Sequence, residues 1–294
     1  MKQDIHTYIN RYKSIIETEL KNFYSSLDVP ERLKESMIYS LEAGGKRLRP
    51  ILMIASYEAY DSNYKRVLSP AVALEMIHTY SLIHDDLPAM DDDDYRRGKL
   101  TNHKQFDEAT AILAGDALLT YSFEIISNDP AISADEKVKI INMLAKCSGP
   151  AGMVGGQILD LEAEQREVTM EELEKIHALK TGELLKFAIF TGAYLGGAEQ
   201  EDLIHLNRFA HYLGLVFQVQ DDILDIIGDE QELGKRVGSD EDNFKSTYPK
   251  LLGLEGAKKQ KLLYEHKAKE ALVQAKAEDS YLMDLIEYFS HRNK

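Results

Sequence analysis

The sequence predicts an all-α protein, and three observations carry that prediction. Only 18 glycines and 7 prolines interrupt 294 residues, below the average combined usage of roughly 12%, which favours long unbroken helices. Apolar residues recur at three- and four-residue spacing in segment after segment, the period of one helix face. No run alternates with period two for long enough to make a strand.

The elements follow in chain order. Residues 3–25 place Ile5, Ile9, Tyr12, Ile16, Leu20 and Phe23 on one amphipathic face. Pro30 opens a second helix that runs to the turn at Gly44-Gly45. Pro50 suits the first turn of a third, through about Tyr60, and Pro70 starts a fourth, through about Leu87. Further helical stretches cover roughly 106–127, 134–147, 150–164, 170–195, 200–228 and 255–290. No Pro/Gly/Ser-rich linker divides the chain, so residues 1–294 read as one domain, long enough to bury a sizeable core.

Composition narrows the function. Fifty acidic residues against 35 basic ones give a net charge of −15, which argues against binding nucleic acid or an anionic membrane surface. An anionic substrate then needs a locally basic site. A single cysteine, Cys147, excludes an internal disulfide framework and a cysteine-based zinc cluster. The charged start of the chain, with Lys2, Asp4 and Arg11, lacks the apolar core of a signal peptide. No charge-free stretch reaches the length of a membrane span. Both features point to the cytoplasm.

Two helices, 71–87 and 209–227, are apolar nearly all round, the mark of an interior position. Each nevertheless ends in aspartates, which are expensive there unless paired or metal-bound. The first set is Asp85, Asp86 and Asp91, followed by Asp92, Asp93 and Asp94; the second is Asp221, Asp222 and Asp225. Asp221 and Asp225 are i and i+4 and share a helix face. Pro88 should end or kink the first helix near Leu87, letting Asp91 fold back toward Asp85. Upstream, Leu74, His78, Ser81 and Asp85 have the same spacing as Gly214, Gln218, Asp221 and Asp225. Asp92 to Asp94 read equally well as a solvated acidic loop. An EF-hand is excluded because its 12-residue loop is missing, and zinc would ask for His or Cys. Oxygen-only donors suit Mg²⁺, which takes one or two carboxylates and shares phosphate oxygens with a substrate.

Basic residues recur near both clusters. Gly44-Gly45-Lys46-Arg47-Leu48-Arg49-Pro50 is a glycine turn feeding a helix start, a fit for a diphosphate. It lacks the spacing of a P-loop. Arg96-Arg97 follows the first cluster, Lys180-Thr181 lies within a long helix, and Lys235-Arg236 and Lys245 follow the second cluster.

The ordered set of motifs resembles the trans-isoprenyl diphosphate synthases, from about Ser36 to Leu252. It comprises residues 44–50, His78 with Asp-Asp-x4-Asp at 85–91, Arg96-Arg97-Gly98, Ala114-Gly115-Asp116, Gly155-Gly156-Gln157, Lys180-Thr181-Gly182, Phe217-Gln218-x-x-Asp221-Asp222-x-x-Asp225, and Gly234-Lys235 through Lys245-Ser246-Thr247-Tyr248-Pro249. Within the family the chain is most similar to the bacterial farnesyl diphosphate synthases, whose first motif carries the two-residue insertion seen here as Pro88-Ala89.

The resemblance implies an isoprenoid synthase fold, a bundle of roughly ten or more helices around a deep apolar cavity, usually in a homodimer. It implies Mg²⁺-dependent head-to-tail condensation of isopentenyl diphosphate with dimethylallyl and geranyl diphosphates to give farnesyl diphosphate. Several Mg²⁺ ions would bridge the allylic diphosphate to Asp85, Asp91 and Asp221, with Asp86, Asp222 and Asp225 as further ligands or as their support. Arg96, Lys180, Thr181, Gln218, Lys235 and Lys245 would complete the allylic site. Among them Lys180, Thr181, Gln218 and Lys235 would act in catalysis, Thr181 and Gln218 by stabilising the allylic cation. Isopentenyl diphosphate would bind Lys46, Arg49, His78 and Arg97. An aromatic residue five before the first aspartate, here Tyr80 with Ser81 beside it, commonly limits the product to C15. By helical rise Ser81 lies ~6 Å and Tyr80 ~7.5 Å below Asp85. A geranylgeranyl diphosphate synthase could share nearly every motif. A class I terpene cyclase is disfavoured by the second Asp-Asp-x-x-Asp, and a non-catalytic partner subunit by the intactness of both motifs.

Overall fold

The computed structural model describes residues 3–164, 166–227 and 246–292. The expected all-α class holds. The described helices are α1 (Ile5–Ser25), α2 (Glu31–Leu41), α3 (Leu48–Glu58), α4 (Leu68–Asp85), α5 (Asn102–Gln105), α6 (Glu108–Asn128), α7 (Ala134–Ser148), α8 (Met153–Ala163), α9 (Met170–His177), α10 (Glu183–Gly196), α11 (Gln200–Ile227), α12 (Tyr248–Gln274) and α13 (Tyr281–His291). A 3₁₀ turn, Tyr64–Val67, leads into α4. The sequence reading found no strand, but two of two residues each, Tyr95–Arg96 and Lys99–Leu100, pair antiparallel. They are too short to show a period.

The chain forms two compact units, Met1–Ile54 with Lys65–Ile141, and Ala55–Tyr64 with Asn142–Lys294. In the first, Asp4 caps α1 by accepting from the Thr7 amide at 3.0 Å. The predicted stripe of α1 is buried at Ile9, Tyr12, Ile16 and Leu20; each such side chain contributes roughly 1.5–3 kcal/mol by leaving water. The all-apolar segment becomes α4, buried from Ser69 to Ile77 without a break. Helix α6 lies against α4 and α2; its buried residues include Ala111, Ala114 and Gly115, small residues that let backbones approach, and Leu118. By length and composition α6 is apolar enough to cross a membrane, and 39% of that apolar window is buried, part of it against α4.

In the second unit, α11 packs against α10, α12 and α13. Its core gathers Leu173, Ile176, Leu215, Val216, Val219, Ile223, Tyr248 and Tyr264. A capping box of Thr169 and Glu172 starts α9. The predicted helix 170–195 is continuous but not uniform: Ala178–Gly182 is a π-helical turn between α9 and α10. The predicted helix 255–290 is two helices. α12 begins earlier, at a Thr247 cap, bends at Gly253 (φ 71°) and ends at Gln274. Ser280 then caps α13, its side chain accepting from the Leu282 amide at 3.3 Å. Apolar spacing continues across this break and so hid it. Pro50 and Pro70 do lie in first turns, as expected, of helices that begin at Leu48 and Leu68.

Candidate active site

Helix α4 ends at Asp85, three residues ahead of Pro88. The chain then turns back, and the Asp91 amide donates to the Asp85 carbonyl at 2.9 Å. Pro88 therefore acts as the sequence suggests. Asp85 is partly buried and Asp91 exposed, whereas Asp86 is buried. The Asp86 carboxylate accepts from Arg96 Nε at 2.7 Å. Burial pushes the Asp86 pKa up, and Arg96 offsets only part of that. Arg96 also reaches Asp93 at 3.5 Å, and Asp94 pairs with Lys104 at 2.8 Å.

The glycine turn before α3 is a left-handed stretch: φ is 94° at Gly44, 125° at Gly45 and 53° at Arg47. Arg47 is held by burial of its guanidinium, which pairs with Glu75 of α4 at 2.6 Å and donates to the Leu41 carbonyl at 2.5 Å. Both partners are nearly inaccessible, so removing either would strand a buried charge. The sequence reading missed Glu75, one charge in an apolar helix with no motif around it. The next motif arginine, Arg49, lies 3.3 Å from His78 Nε2. Burial, then Arg49, Arg97, Arg96 and Arg47, hold the His78 pKa well below the usual imidazole value. His78 is therefore neutral near pH 7 and accepts from Arg49.

Arg97 sits in the turn of the small hairpin with φ 53°, beside Gly98 at 75°, the double left-handed pattern of a type I′ turn. Its guanidinium donates to the Gly44 carbonyl and fills the space at Gly45, where a Cβ would lie 2.8 Å from Nη1. Glycine is required at 45 for that approach as well as for its φ. Thus Arg49, His78 and Arg97, predicted from separate motifs, converge on the turn that carries Lys46.

In the second unit, the π-turn displays Lys180 and Thr181; such turns often mark functional positions. Lys180 Nζ pairs with Asp160 of α8 at 2.5 Å. The Thr181 hydroxyl donates to Gln218 Oε1 at 3.4 Å, and Gln218 Nε2 donates to Asp222 Oδ1 at 3.1 Å. The second Asp222 oxygen accepts from the Tyr248 amide at 2.9 Å. Asp222 and Asp225 are buried; Asp221 is more open, its side chain 39% exposed. The Asp221 carboxylate pairs with Arg292, which lies over the Phe217 ring at 3.9 Å and donates to the Phe217 carbonyl at 3.1 Å. Arg292 and Asp160 were not anticipated, since neither stands at a spacing that signals its partner. Gln157 Nε2 is buried without a hydrogen-bond partner among the described residues.

Tyr80 is buried on α4 and meets His84 edge-on at 5.7 Å. Burial, then Asp85, pushes its phenol up to about 12. His84 occupies the space a side chain at Gly115 would need and lies 3.1 Å from the Ile112 carbonyl. Ser81 turns its hydroxyl to the His78 carbonyl at 2.9 Å. Lys235 and Lys245 lie outside the described residues. Among the described residues no three His, Cys, Asp or Glu side chains form a ready-made metal cage. The half-open carboxylates, oxygen donors all, instead fit Mg²⁺ that also takes oxygens from a phosphate.

The sequence model of one family, described as polyprenyl synthetase, matches residues 30–284. Among curated relatives, the farnesyl diphosphate synthase of Bacillus subtilis is 48% identical over 295 residues, covering 100% of both chains. The geranylgeranyl diphosphate synthase of Cyanophora paradoxa is 45% identical, covering 98% of this chain and 96% of its own. Among solved structures, a geranyltransferase from Helicobacter pylori, complexed with magnesium and isoprenyl diphosphate, is 33% identical at a TM-score of 0.85, covering 98% of this chain and 96% of that one.

Proposed function

This chain belongs to the polyprenyl synthetase family, and from that premise we propose that it is a prenyltransferase making farnesyl diphosphate. It joins isopentenyl diphosphate head to tail with dimethylallyl and then geranyl diphosphate, releasing diphosphate. The observation that carries this reading is the full-length 48% identity to a farnesyl diphosphate synthase together with two intact aspartate sets and the convergence of Arg49, His78 and Arg97.

Asp85, Asp91 and Asp221 would hold Mg²⁺ ions on the allylic diphosphate, with Asp86, Asp222 and Asp225 supporting them. Bound Mg²⁺ would neutralise charge building on the departing diphosphate. Lys180 adds a cation to that diphosphate, as do Arg96, Lys235 and Lys245. Lys46, Arg49, neutral His78 and Arg97 bind isopentenyl diphosphate. The Thr181 hydroxyl and Gln218 face the allylic cation, and the apolar lining keeps water from it. The C1–O bond of the allylic substrate breaks, the isopentenyl double bond attacks C1 of the resulting cation, and the new tertiary cation loses a proton to the released diphosphate to give the product, so no side-chain base is required. Residues 1–294 act as one synthase domain, in the cytoplasm. Ile112 and Leu113, exposed on α6, support a homodimer through that helix.

Incubating the protein with isopentenyl and dimethylallyl diphosphates and Mg²⁺ is expected to give C15 diphosphate; chelating the metal should abolish it. A C20 product would move the assignment to geranylgeranyl diphosphate synthesis, and a cyclic hydrocarbon would overturn it. Arg49→Ala is expected to raise the KM for isopentenyl diphosphate by about tenfold or more, on the scale of a lost charge-assisted contact, with little change for the allylic substrate. Steady-state kinetics varying each substrate in turn checks this, and the opposite pattern would reverse the division of the two sites.

A further inference from the structure

We propose that Asp160 is a positioning residue for Lys180, and that α8 as a whole is the cradle that sets the π-turn; this rests on the reading of Lys180 as a cation for the allylic diphosphate. Two contacts from one face of α8, one turn apart, hold the same residue. At Gly156 the helix backbone reaches the backbone of the turn: a Cβ there would lie 2.7 Å from Lys180 Cα and 2.8 Å from the Leu179 carbonyl carbon. These are backbone atoms, so no rotamer change could relieve the overlap. Four residues later, Asp160 Oδ2 meets Lys180 Nζ at 2.5 Å, with both side chains mostly covered, 20% and 26% exposed.

A lysine on four methylene groups has many rotamers, and ordering it costs free energy at the moment of binding. Asp160 pays that cost in advance and leaves the ammonium two further donors for a phosphate. On the other side of the turn, Gly214 of α11 approaches Gly182, a Cβ at 214 lying 3.2 Å from its Cα. The turn is thus fixed on both sides, while Lys180 alone among its side chains is tethered by an ion pair.

The test is a double-mutant cycle on Lys180 and Asp160, with the Michaelis constant for isopentenyl diphosphate, the Mg²⁺ half-saturation and the thermal midpoint followed alongside kcat. Asp160→Asn is expected to lower kcat with the allylic substrate about tenfold or more, the scale of a displaced catalytic-site group. The isopentenyl diphosphate KM and the Mg²⁺ half-saturation should not move. The double variant Asp160→Asn/Lys180→Ala should be no slower than Lys180→Ala alone, and Asp160→Glu should recover part of the loss. Additive losses would overturn the proposal, as would a raised Mg²⁺ half-saturation that persists in the Lys180→Ala background, since Asp160 would then act on the metal directly. If Lys180→Ala itself left allylic kinetics unchanged, the reading beneath would fall and the proposal with it. Gly156→Ala tests the second contact: the backbone overlap should displace the turn, lowering the thermal midpoint and also lowering kcat per folded molecule with the allylic substrate, whereas an unchanged kcat per folded molecule overturns the cradle.

Discussion

Asp85→Ala, Asp91→Ala and Asp221→Ala are each expected to lower turnover by at least about a hundredfold at saturating Mg²⁺, the scale of losing one strong electrostatic contact in a transition state. All three carboxylates are at least partly open, unlike the buried Asp86, Asp222 and Asp225, so they are the ones able to exchange water for a metal. Asp221 needs a second substitution because it also pairs with Arg292. Asp221→Asn keeps an acceptor for that guanidinium while removing the charge, and its loss should remain close to that of alanine. Asp93→Ala and Asp94→Ala should stay near wild type, since both side chains are exposed and Asp94 is engaged by Lys104. Steady-state kcat, with circular dichroism to check folding, decides the matter. Near wild-type turnover in Asp85→Ala or Asp221→Ala would sink the assignment of metal ligands.

Tyr80→Ala is expected to shift the product from C15 toward C20 and longer diphosphates. The side chain is 6% exposed on the helix that ends at Asp85, and if the growing chain descends along that helix as proposed, removing the ring would deepen the space open to it. Truncating a buried aromatic costs about 3 kcal/mol, which a chain of this size can absorb. Tyr80→Phe should keep the C15 limit. Its volume is nearly the same, and the phenol, raised to about 12 by burial and Asp85, stays neutral at working pH. Chromatography of the dephosphorylated products distinguishes the outcomes. A folded Tyr80→Ala enzyme that still stops at C15 would remove Tyr80 from the control of length.

The aspartate sets and the main helices were legible because they rest on local signals: a period of 3.6, a proline in a first turn, and carboxylates where an apolar helix ends. The turn at Pro88 is legible in the same way, since restricted backbone before a proline is a property of two adjacent residues. The features that escaped notice depend on distance in space. The Arg47–Glu75 pair joins residues 28 apart, and the Arg292–Asp221 pair joins residues 71 apart. The π-turn is invisible for another reason: one additional residue in a turn changes a helix's register without changing its composition. The break between α12 and α13 was missed because Ala275 and Ala277 fit the apolar pattern, whereas the Lys276 backbone at φ 54° leaves no trace in side-chain chemistry.

The primary amide of Gln218 has a negative end and a positive end, nearly identical in shape, and sterics alone would not choose between them. Asp222 makes the choice. Its carboxylate can only accept, one oxygen is taken by the Tyr248 amide, and the other draws in the NH₂ group of Gln218. The carbonyl end is thereby turned toward Thr181. A buried aspartate thus sets the polarity of a neighbouring dipole. On the proposed reading, with an allylic cation forming beside it, that polarity would carry a sign: an oxygen would attract the charge, and an NH₂ group in its place would repel it.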